Sequence, residues 1–551
     1  MRRIIIQLKL LSKINEVFVI IFNEYIIYIK VGKKELKVGG NLNTQELYLF
    51  WRLAHYFIAV QEYRIIQLSK DQNELWLEKM ENKNVRVIRL LCRNLDWSNW
   101  LQRDIELTSH NGERIRKQLG KGELNVLNLY FTAYPPVDDY HYRIEKPFIN
   151  PQTSKTKVNS VIFERENLPL SMEKVSDLFQ DTISFSIPEE NIDQETERLK
   201  HEALTTAVDK IKAEKSMFEY GKPFFTYFFI AIQLIVFLLL EVSGGSTNTE
   251  TLIKFGAKFN PLILEGEWWR FITPIFLHIG ILHLAMNTLA LYYLGITVEK
   301  IFGRIRFILI YLIAGFGGSL ASFLFSQNLS AGASGAIFGC FGALLYFGLI
   351  YPKLFMRTMG LNIFVVLAIN LAFGFSMEGI DNAGHIGGLI GGFLATGVLH
   401  FPKQKKMLQQ ILFLVVTASL SVGLLYYGFH HGSKLLNEQS TLFIAQDYIQ
   451  SEQWDKASKV LEGYVEDHPD SAESYFLLSY AEIKMNQINK AEKHLLRVLE
   501  LDPNMDEAHV NLALIYLNKH ELEKAKEHAN QAVRIEPNKA EYKELLQKVN
   551  E

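Results

Sequence analysis

The stretch GASGAIFGCFGALLYFGLIY, residues 332–351, contains no charged side chain and is long enough to cross the hydrocarbon core of a bilayer. Six further apolar stretches of similar length lie around it, all between Pro223 and Ser433, where charged residues are sparse. The sequence therefore predicts a polytopic α-helical membrane domain over 221–432, flanked by polar blocks over 1–220 and 433–551. The seven predicted spans are Phe224–Val242, Ile279–Ile296, Phe307–Phe325, Ser334–Tyr351, Leu361–Ser376, His385–Phe401 and Gln409–Phe429.

The connections between the predicted spans alternate in charge along the chain. Lysine and arginine cluster before the first span and after the second, fourth and sixth. The opposite connections contain Glu265 and Glu267, then an uncharged stretch over 326–333, then Glu378 and Asp381. Because positively charged connections stay in the cytoplasm, we expect a cytoplasmic N-terminus and, after an odd number of spans, an extracytoplasmic C-terminus. The chain is thus predicted to be a multi-pass protein of the cell membrane.

Composition argues against several other classes of protein. The net charge is -2, from 58 basic and 60 acidic residues, which gives no reason to expect nucleic acid as a partner. The two cysteines, Cys92 and Cys340, lie far apart in blocks of different character. This excludes a disulfide framework and a zinc site built from cysteines.

The block over 1–220 has the pattern of a soluble α/β domain, because short β-branched and aromatic runs alternate with helical segments. Its start at Met1 is expected to be a strand or helix of this domain rather than a signal peptide. His110, His141 and Glu145 are better explained as scattered surface residues than as a metal site, and no residue pattern indicates what the domain binds. The predicted elements are a hairpin over Val17–Phe22 and Tyr25–Val31, helices Gln45–Gln61 and Ile192–Phe218, and strands Val85–Leu91, Asn125–Thr132 and Lys157–Phe163.

The block over 433–551 repeats with a period of 34 residues. Pro469, Pro503 and Pro537 keep this spacing, and small residues keep it at two further positions of each repeat. Proline ends a helix, and the small residues would let paired helices approach closely. The pattern resembles the all-α tetratricopeptide repeat solenoid and makes an unrelated helical bundle improbable. Such arrays present a surface to a peptide or protein partner rather than perform chemistry.

Ser334 and His385 are the candidate catalytic pair in the membrane block. Gly332-Ala333-Ser334-Gly335 alone is a weak motif, since small residues are common where membrane helices pack. A histidine inside a span is costly unless it faces a cavity or a partner. Glycines spaced by four on both spans, including Gly335 and Gly388, predict close packing of the fourth and sixth spans. That packing would bring the serine and the histidine together near the outer face.

Two further polar signals precede this pair. His283 and Asn287 are one turn apart on the second span and share a helix face, with His278 five residues earlier. These side chains could form only interhelical hydrogen bonds, or they could donate to a developing oxyanion. Trp269-Arg270 lies in the connection before this span. An aromatic residue next to a cation is typical of an anchor at the membrane interface.

Taken together, four motifs resemble the rhomboid family of intramembrane serine proteases. The resemblance covers about residues 224–401, and the layout with a cytoplasmic domain and trailing repeats is similar to that of the long Gram-positive rhomboids. It implies a six-helix rhomboid core with a seventh helix added, and neither a metal nor another cofactor. The motifs, in the family's order, are Trp269-Arg270, His283-x-x-x-Asn287, Gly332-x-Ser334-Gly335 and Ala383-Gly384-His385-x-x-Gly388.

The resemblance also implies roles for individual residues. Ser334 would be the nucleophile and His385 the general base of a dyad without an acid, since Asp381 precedes the helix and is expected to face water. His283, Asn287 and the backbone N–H of Ser334 would form the oxyanion hole. An aromatic ring stacked on the catalytic histidine would be supplied by Phe338. The supporting residues are Phe338, His278, Trp269, Arg270, Gly332, Gly335 and Gly388.

The predicted function is a serine endopeptidase that cleaves transmembrane segments near the outer face. Segments that unwind easily should be preferred, because an intact helix shields its peptide bonds. We expect a water-holding cavity that opens outward, lateral substrate access between the second and fifth spans, and a mobile cap over Phe375–Asn382. The cavity would be lined by His278, His283, Asn287, Ser334 and His385.

Two alternatives stay open at this stage. The first is a catalytically silent rhomboid-like protein that binds membrane clients, against which the retention of Ser334, His385, His283 and Asn287 argues. The second is a transporter or channel, which is disfavoured because the predicted spans lack carboxylates suited to ion coupling. The expected partners are transmembrane substrates, the lipid bilayer and proteins that bind the repeats.

Overall fold

The computed structural model describes residues 44–79, 81–119, 122–164, 167–377 and 379–550. The chain divides into one compact unit that ends at Met217 and a second that begins at Phe218. The predicted structure at Met1 and the predicted hairpin over Val17–Phe22 and Tyr25–Val31 lie outside the described residues.

Within the described residues, the first unit contains a six-stranded sheet covered by helices on both faces. Its strand order is β1-β2-β3-β4-β6-β5, in which β3, β4 and β6 run parallel and the remaining neighbours are antiparallel. Strands β3 and β4, at the centre of the sheet, are mostly apolar and buried, as expected for strands covered on both faces. The strands are β1 (Arg64–Leu68), β2 (Glu74–Glu78), β3 (Val87–Cys92), β4 (Leu124–Phe131), β5 (Phe148–Ile149) and β6 (Thr156–Phe163).

Two apolar clusters hold the helices of this unit against the sheet. One joins α1, α4 and α5 to one face, and the other joins α2 to the opposite face. Arg89, the one charged residue of β3, is buried but forms ion pairs with Glu74 (2.7 Å) and Asp104 (2.5 Å). The helices are α1 (Thr44–His55), α2 (Ser98–Leu119), α3 (His141–Ile144), α4 (Leu168–Phe179) and α5 (Ile192–Phe218).

The strands and helices predicted within the described part of this block are confirmed. The three predicted strands match β3, β4 and β6 to within two residues at each end, and the helix predicted over Ile192–Phe218 matches α5. The helix predicted over Gln45–Gln61 is α1 extended by a π-helical turn over Tyr56–Val60.

The second unit begins with the apolar helices of the membrane block. Within the described residues, five helical segments are long and apolar enough to cross a membrane, namely α6, α9, α10, α15 and the segment Pro352–Ser376, which includes α13. Helix α11 is apolar but has 17 residues, and the glycine-rich α14 packs against α10, α11 and α15. The helices are α6 (Phe225–Val242), α7 (Thr249–Lys254), α8 (Asn260–Leu264), α9 (Ile281–Phe302), α10 (Arg304–Phe325), α11 (Ser334–Ile350), α12 (Pro352–Phe355), α13 (Leu361–Ser376), α14 (Asn382–Leu399) and α15 (Met407–His430).

Paired helices follow α15, in register with the 34-residue period. Each pair ends next to one of the prolines at 469, 503 and 537, and the small residues predicted to lie between the paired helices are buried, including Ala457, Ala491 and Ala525. The pairs are α16 (Glu438–Gln450) with α17 (Trp454–Asp467), α18 (Ala472–Lys484) with α19 (Ile488–Leu501), and α20 (Asp506–Asn518) with α21 (Leu522–Ile535), followed by α22 (Ala540–Asn550).

Candidate active site

Ser334 and His385 occupy the same end of two parallel helices in contact. Ser334 is the first residue of α11, and His385 lies in the first turn of α14. A methyl group on Gly388 would overlap the carbonyl oxygen of Gly335, and one turn further along the helices a methyl on Gly392 would overlap that of Gly339. The predicted glycine packing of these two helices is therefore confirmed, and it leaves no room for a side chain between them.

The imidazole of His385 is oriented by an aromatic ring. The rings of Phe338 and His385 are stacked, with centroids 4.2 Å apart and an angle of 8° between their planes. The carboxylate of Asp381 accepts the backbone N–H of Gly384 (2.8 Å) and so caps α14. Nδ1 of His385 is buried and has no hydrogen-bond partner among the described residues. Among the described residues, the ring is thus held by stacking and not by a hydrogen bond to a carboxylate.

Gly332 lies directly against the two polar residues of α9. A β-carbon on Gly332 would be 2.7 Å from Cε1 and 3.0 Å from Nε2 of His283, and 3.8 Å from Nδ2 of Asn287. Asn287 is buried, and its Nδ2 has no hydrogen-bond partner in the described part of the chain. A buried donor without an acceptor is costly, so this amide is available to a ligand oxygen close to the loop that precedes Ser334.

His278 lies next to His283. Its side chain is fully buried and contacts the ring of His283 edge to face, with centroids 5.4 Å apart. Neither of its ring nitrogens has a hydrogen-bond partner among the residues the structure describes. His278 is fully buried in this structure, and its role as a lining residue of an outward-opening cavity stays a prediction.

The Trp269-Arg270 pair divides into two different environments. Trp269 and its neighbour Trp268 are exposed, as expected of interfacial aromatic residues. Arg270 is buried, donates to the carbonyl oxygens of Ile253 (2.8 Å) and Ala257 (2.9 Å), and pairs with Glu267. The interpretation of Arg270 as an interfacial cation is wrong, since its guanidinium organises the segment between α6 and α9.

Glu299 is a buried carboxylate that no sequence pattern predicted. This residue lies in α9, three residues beyond the predicted end of the second span, and its side chain accepts the backbone N–H groups of Phe224, Phe225 and Thr226 and the hydroxyl of Thr226. It caps α6, and because its carboxylate oxygens are engaged there, it does not contradict the prediction that the spans lack carboxylates suited to ion coupling. In the sequence, Glu299 is followed by Lys300 and resembles an exposed charged pair. No sequence pattern distinguishes it from an exposed glutamate.

A buried lysine was also missed. Lys258, between α7 and α8, is fully buried, and its ammonium donates to three oxygen atoms. A single lysine in a polar connection gives no sequence signal of this kind. Within the described residues no group of three or more histidine, cysteine or acidic side chains is placed to hold a metal ion. The predicted cap over Phe375–Asn382 includes Glu378, which is not among the described residues.

Comparison with known proteins identifies two families in this chain. The family profile of the Rhomboid domain matches residues 265–402, and that of the tetratricopeptide repeat matches 448–504 and 482–549. The chain is 42% identical over 442 residues to Rhomboid protease GluP of Bacillus subtilis (strain 168), a match that covers 80% of this chain and 85% of that protein. It is 44% identical over 156 residues to RHOMBOID-like protein 6, mitochondrial, of Arabidopsis thaliana, which covers 28% of this chain and 50% of that protein.

The chain is also similar over part of its length to solved structures. One is the first TPR of Spaghetti (RPAP3) bound to an HSP90 peptide, with a TM-score of 0.20 and 17% identity, covering 20% of this chain and 87% of that one. Another is MamA, with a TM-score of 0.20 and 21% identity, covering 24% of this chain and 81% of that one.

The protein is an intramembrane serine protease, a multi-pass membrane protein whose class acts on transmembrane substrates. The chain belongs to the rhomboid family. Within the family it is of the GluP type, with C-terminal tetratricopeptide repeats.

Proposed function

We propose that the protease cleaves its substrates near the outer face of the membrane with a dyad of Ser334 and His385. The observation that carries this proposal is the placement of both residues at the same end of two parallel helices whose glycines are in contact. A serine hydroxyl is a poor nucleophile until a neighbouring base takes its proton. The stacked ring of Phe338 holds the imidazole in one plane, which is the orienting task that a triad carboxylate usually performs.

The reaction would proceed through an acyl-enzyme. His385 takes the proton of Ser334 as its Oγ bonds to the carbonyl carbon of the scissile peptide, and the carbonyl oxygen becomes an oxyanion. The C–N bond then breaks, and the imidazolium gives its proton to the departing amine. Water, activated by the same imidazole, attacks the ester and releases the second product and Ser334.

The oxyanion would be bound between Gly332 and α9. Nδ2 of Asn287 is buried there without an acceptor among the described residues, and the ring of His283 is beside it. Donors that are fixed before the reaction stabilise the developing charge without reorganisation, and removal of one such donor costs about 10²–10³ in kcat. The backbone N–H of Ser334 at the start of α11 is the third donor.

Substrates would reach the dyad laterally, between α9 and α13. Helix α13 contacts α11 and α14, yet several of its large apolar side chains are exposed, including Phe364, Ile369 and Phe373. This exposed apolar surface of α13 would contact lipid or a substrate segment. Transmembrane segments rich in glycine, proline or polar residues would be cleaved preferentially, because they unwind more easily.

The remaining layout is proposed from the charge pattern. Residues 1–220 would form a cytoplasmic domain, 221–432 the protease domain with seven spans, and 433–551 extracytoplasmic repeats that recruit clients or partners. The alternating charges of the connections support this orientation. If the repeats select clients, their loss will change which membrane proteins are cleaved, and unchanged substrate choice would count against that role.

The test of the proposed function is cleavage of a transmembrane test substrate by the purified protein in liposomes. Ser334→Ala and His385→Ala should each abolish cleavage while thermal unfolding in detergent stays within a few degrees of the unmodified protein. Serine at 330, on the loop that precedes α11, provides a matched control, and Ser330→Ala should retain activity. Cleavage by Ser334→Ala at the unmodified rate would contradict the proposal.

A further inference from the structure

A polar junction joins three parts of the chain on the side of the molecule where α11 begins. These parts are the outer segment (residues 253–265, between α6 and α9), the nucleophile loop (residues 326–333, which leads into Ser334) and the start of the repeats (residues 434–448). Lys258 and Asn260 are at its centre, and both are buried. Neither residue has a part in the chemistry proposed above, so their burial calls for another explanation.

Lys258 holds the nucleophile loop through both its backbone and its side chain. Its backbone N–H donates to the carbonyl of Ser330 (2.9 Å) and its carbonyl accepts the N–H of Ser330 (3.0 Å). Its ammonium donates to the carbonyl oxygens of Ser326 (2.7 Å) and Asn328 (2.7 Å). A buried charge of this kind is tolerated only when hydrogen bonds satisfy it. Four bonds from one residue thus fix the loop whose last residues position Ser334.

Asn260 connects this loop to the start of the repeats. Its Oδ1 accepts from the ammonium of Lys258 (3.1 Å), and its Nδ2 donates to the carbonyl oxygens of Phe323 (3.1 Å) and Leu435 (2.7 Å). The nucleophile loop also bonds directly to this region, because Nε2 of Gln327 donates to the carbonyl of Lys434 (3.1 Å). The residues just before α16 are therefore part of the support of the loop.

The first repeat itself packs on the outer segment. Ile253, Phe259 and Leu262 form one apolar cluster with Ile444 and Tyr448 of α16. The hydroxyl of Tyr448 donates to the carboxylate of Glu265. The first repeat is thereby attached to the segment that carries Lys258, by apolar burial and by a hydrogen bond to a charged group.

We propose that Lys258 is a positioning residue for Ser334, and that through Asn260 and the outer segment it makes the reactivity of Ser334 depend on the docking of the first repeat. This inference rests on the proposed role of Ser334 as the nucleophile. The repeats are then a structural part of the protease and more than an attached recruiting module. A partner that pulls the first repeat away from the outer segment would slow the enzyme.

The first experiment compares Lys258→Met with Lys258→Arg in the full chain. A fluorophosphonate probe reports the reactivity of Ser334 without a substrate, and cleavage kinetics of a transmembrane test substrate report kcat and KM. We expect Lys258→Met to slow labelling and kcat by about tenfold or more, because small misplacements of reacting groups carry such costs, with KM unchanged. Lys258→Arg should restore part of the rate. Lys254→Met removes an exposed lysine from the same segment and should have no effect.

Labelling of Lys258→Met at the unmodified rate would overturn the proposal. If Lys258→Met fails to unfold cooperatively, Tyr448→Phe tests the proposal instead. This variant removes the hydroxyl that joins the first repeat to Glu265 and keeps the aromatic ring. Labelling should then slow by about two- to tenfold, the range of a single hydrogen bond. Tyr464→Phe in the same repeat, where the ring stacks on His468, is its control. Equal rates for both tyrosine variants would refute the coupling, whereas an unlabelled Ser334 in the unmodified protein would refute the proposed function instead.

Discussion

At the scale of single residues, the site depends on how one imidazole is held. The carboxylate nearest to His385 in sequence, Asp381, is engaged as the cap of α14, and Nδ1 of the imidazole lacks a hydrogen-bond partner among the described residues. The stacked ring of Phe338 is the contact that fixes the plane of the imidazole. Stacking sets a plane but leaves rotation within that plane less restricted than a hydrogen bond does, so we expect slow turnover.

Replacing Phe338 should therefore lower activity without unfolding the protein. We expect Phe338→Ala to reduce kcat by about tenfold or more, because the imidazole loses its orienting contact, and Phe338→Tyr to retain most of the activity because the ring is kept. Cleavage kinetics together with thermal unfolding distinguish orientation from stability. An active Phe338→Ala enzyme would show that the stacking has no role in orienting His385.

A second prediction at this scale concerns the oxyanion. Asn287→Ala should lower kcat by about 10²–10³ while KM changes little, since the amide acts on charge that develops only in the transition state. Thr288→Ala, one residue further along α9, is the matched control. A rise in KM with unchanged kcat would instead assign Asn287 to substrate binding.

At the scale of elements, the helices and strands were largely predictable, whereas several buried charges were not. The β-branched runs of β3, β4 and β6 and the glycine stripes of α11 and α14 are periodic, so the sequence indicated both the elements and the face on which the helices pack. Lys258, Arg270 and Glu299 have no such pattern. Each is buried because backbone groups from distant segments converge on it, and that convergence is a property of the tertiary fold alone.

The glycine contact between α11 and α14 gives the third prediction. Gly388→Ala places a methyl group on the carbonyl of Gly335, so we expect a destabilisation of about 1–3 kcal/mol, typical of overpacking, and a loss of cleavage as Ser334 and His385 move apart. Gly423→Ala adds the same methyl to α15, where nothing lies within 4 Å. Gly388→Ala should unfold at a lower temperature and cleave less substrate than Gly423→Ala. Equal unfolding temperatures and equal cleavage would contradict the close packing of α11 on α14.

The third repeat contains a histidine pair that should make it sensitive to acid. Nδ1 of His509 and Nδ1 of His528 are 2.9 Å apart, and desolvation, with a smaller contribution from His509, lowers the pKa of His528. A histidine whose pKa is lower in the folded than in the unfolded state binds its proton more weakly when folded, so acid favours unfolding. Stability should therefore fall as the pH drops below about 6.5.

This fourth prediction is measured as the urea midpoint of the repeats in the solubilised full chain between pH 7 and pH 5. His528→Gln should flatten the decrease of the midpoint with acidification, and His520→Gln, at an exposed position, should leave the decrease unchanged. A midpoint that does not change with pH in the unmodified protein would contradict the assignment.

At the scale of the whole molecule, the proposed orientation in the membrane rests on charges and not on packing. Helix α15 separates Lys405 from Gln439, both of which are exposed, and the two native cysteines are buried. With seven spans and a cytoplasmic N-terminus, an impermeant thiol reagent added to intact cells should modify Gln439→Cys and leave Lys405→Cys unmodified. The reverse pattern would invert the topology, and modification of neither or both would contradict the seventh span.

The claim on which the rest depends is that the hydroxyl of Ser334 is activated by His385, and covalent labelling tests it most directly. A fluorophosphonate reacts by forming a bond between Oγ and phosphorus as fluoride leaves and the base takes the serine proton. Peptide mapping of the labelled full-length protein should place the adduct on Ser334 and find it nearly absent in His385→Ala. An adduct on another residue, or undiminished labelling of Ser334 in His385→Ala, would contradict the dyad.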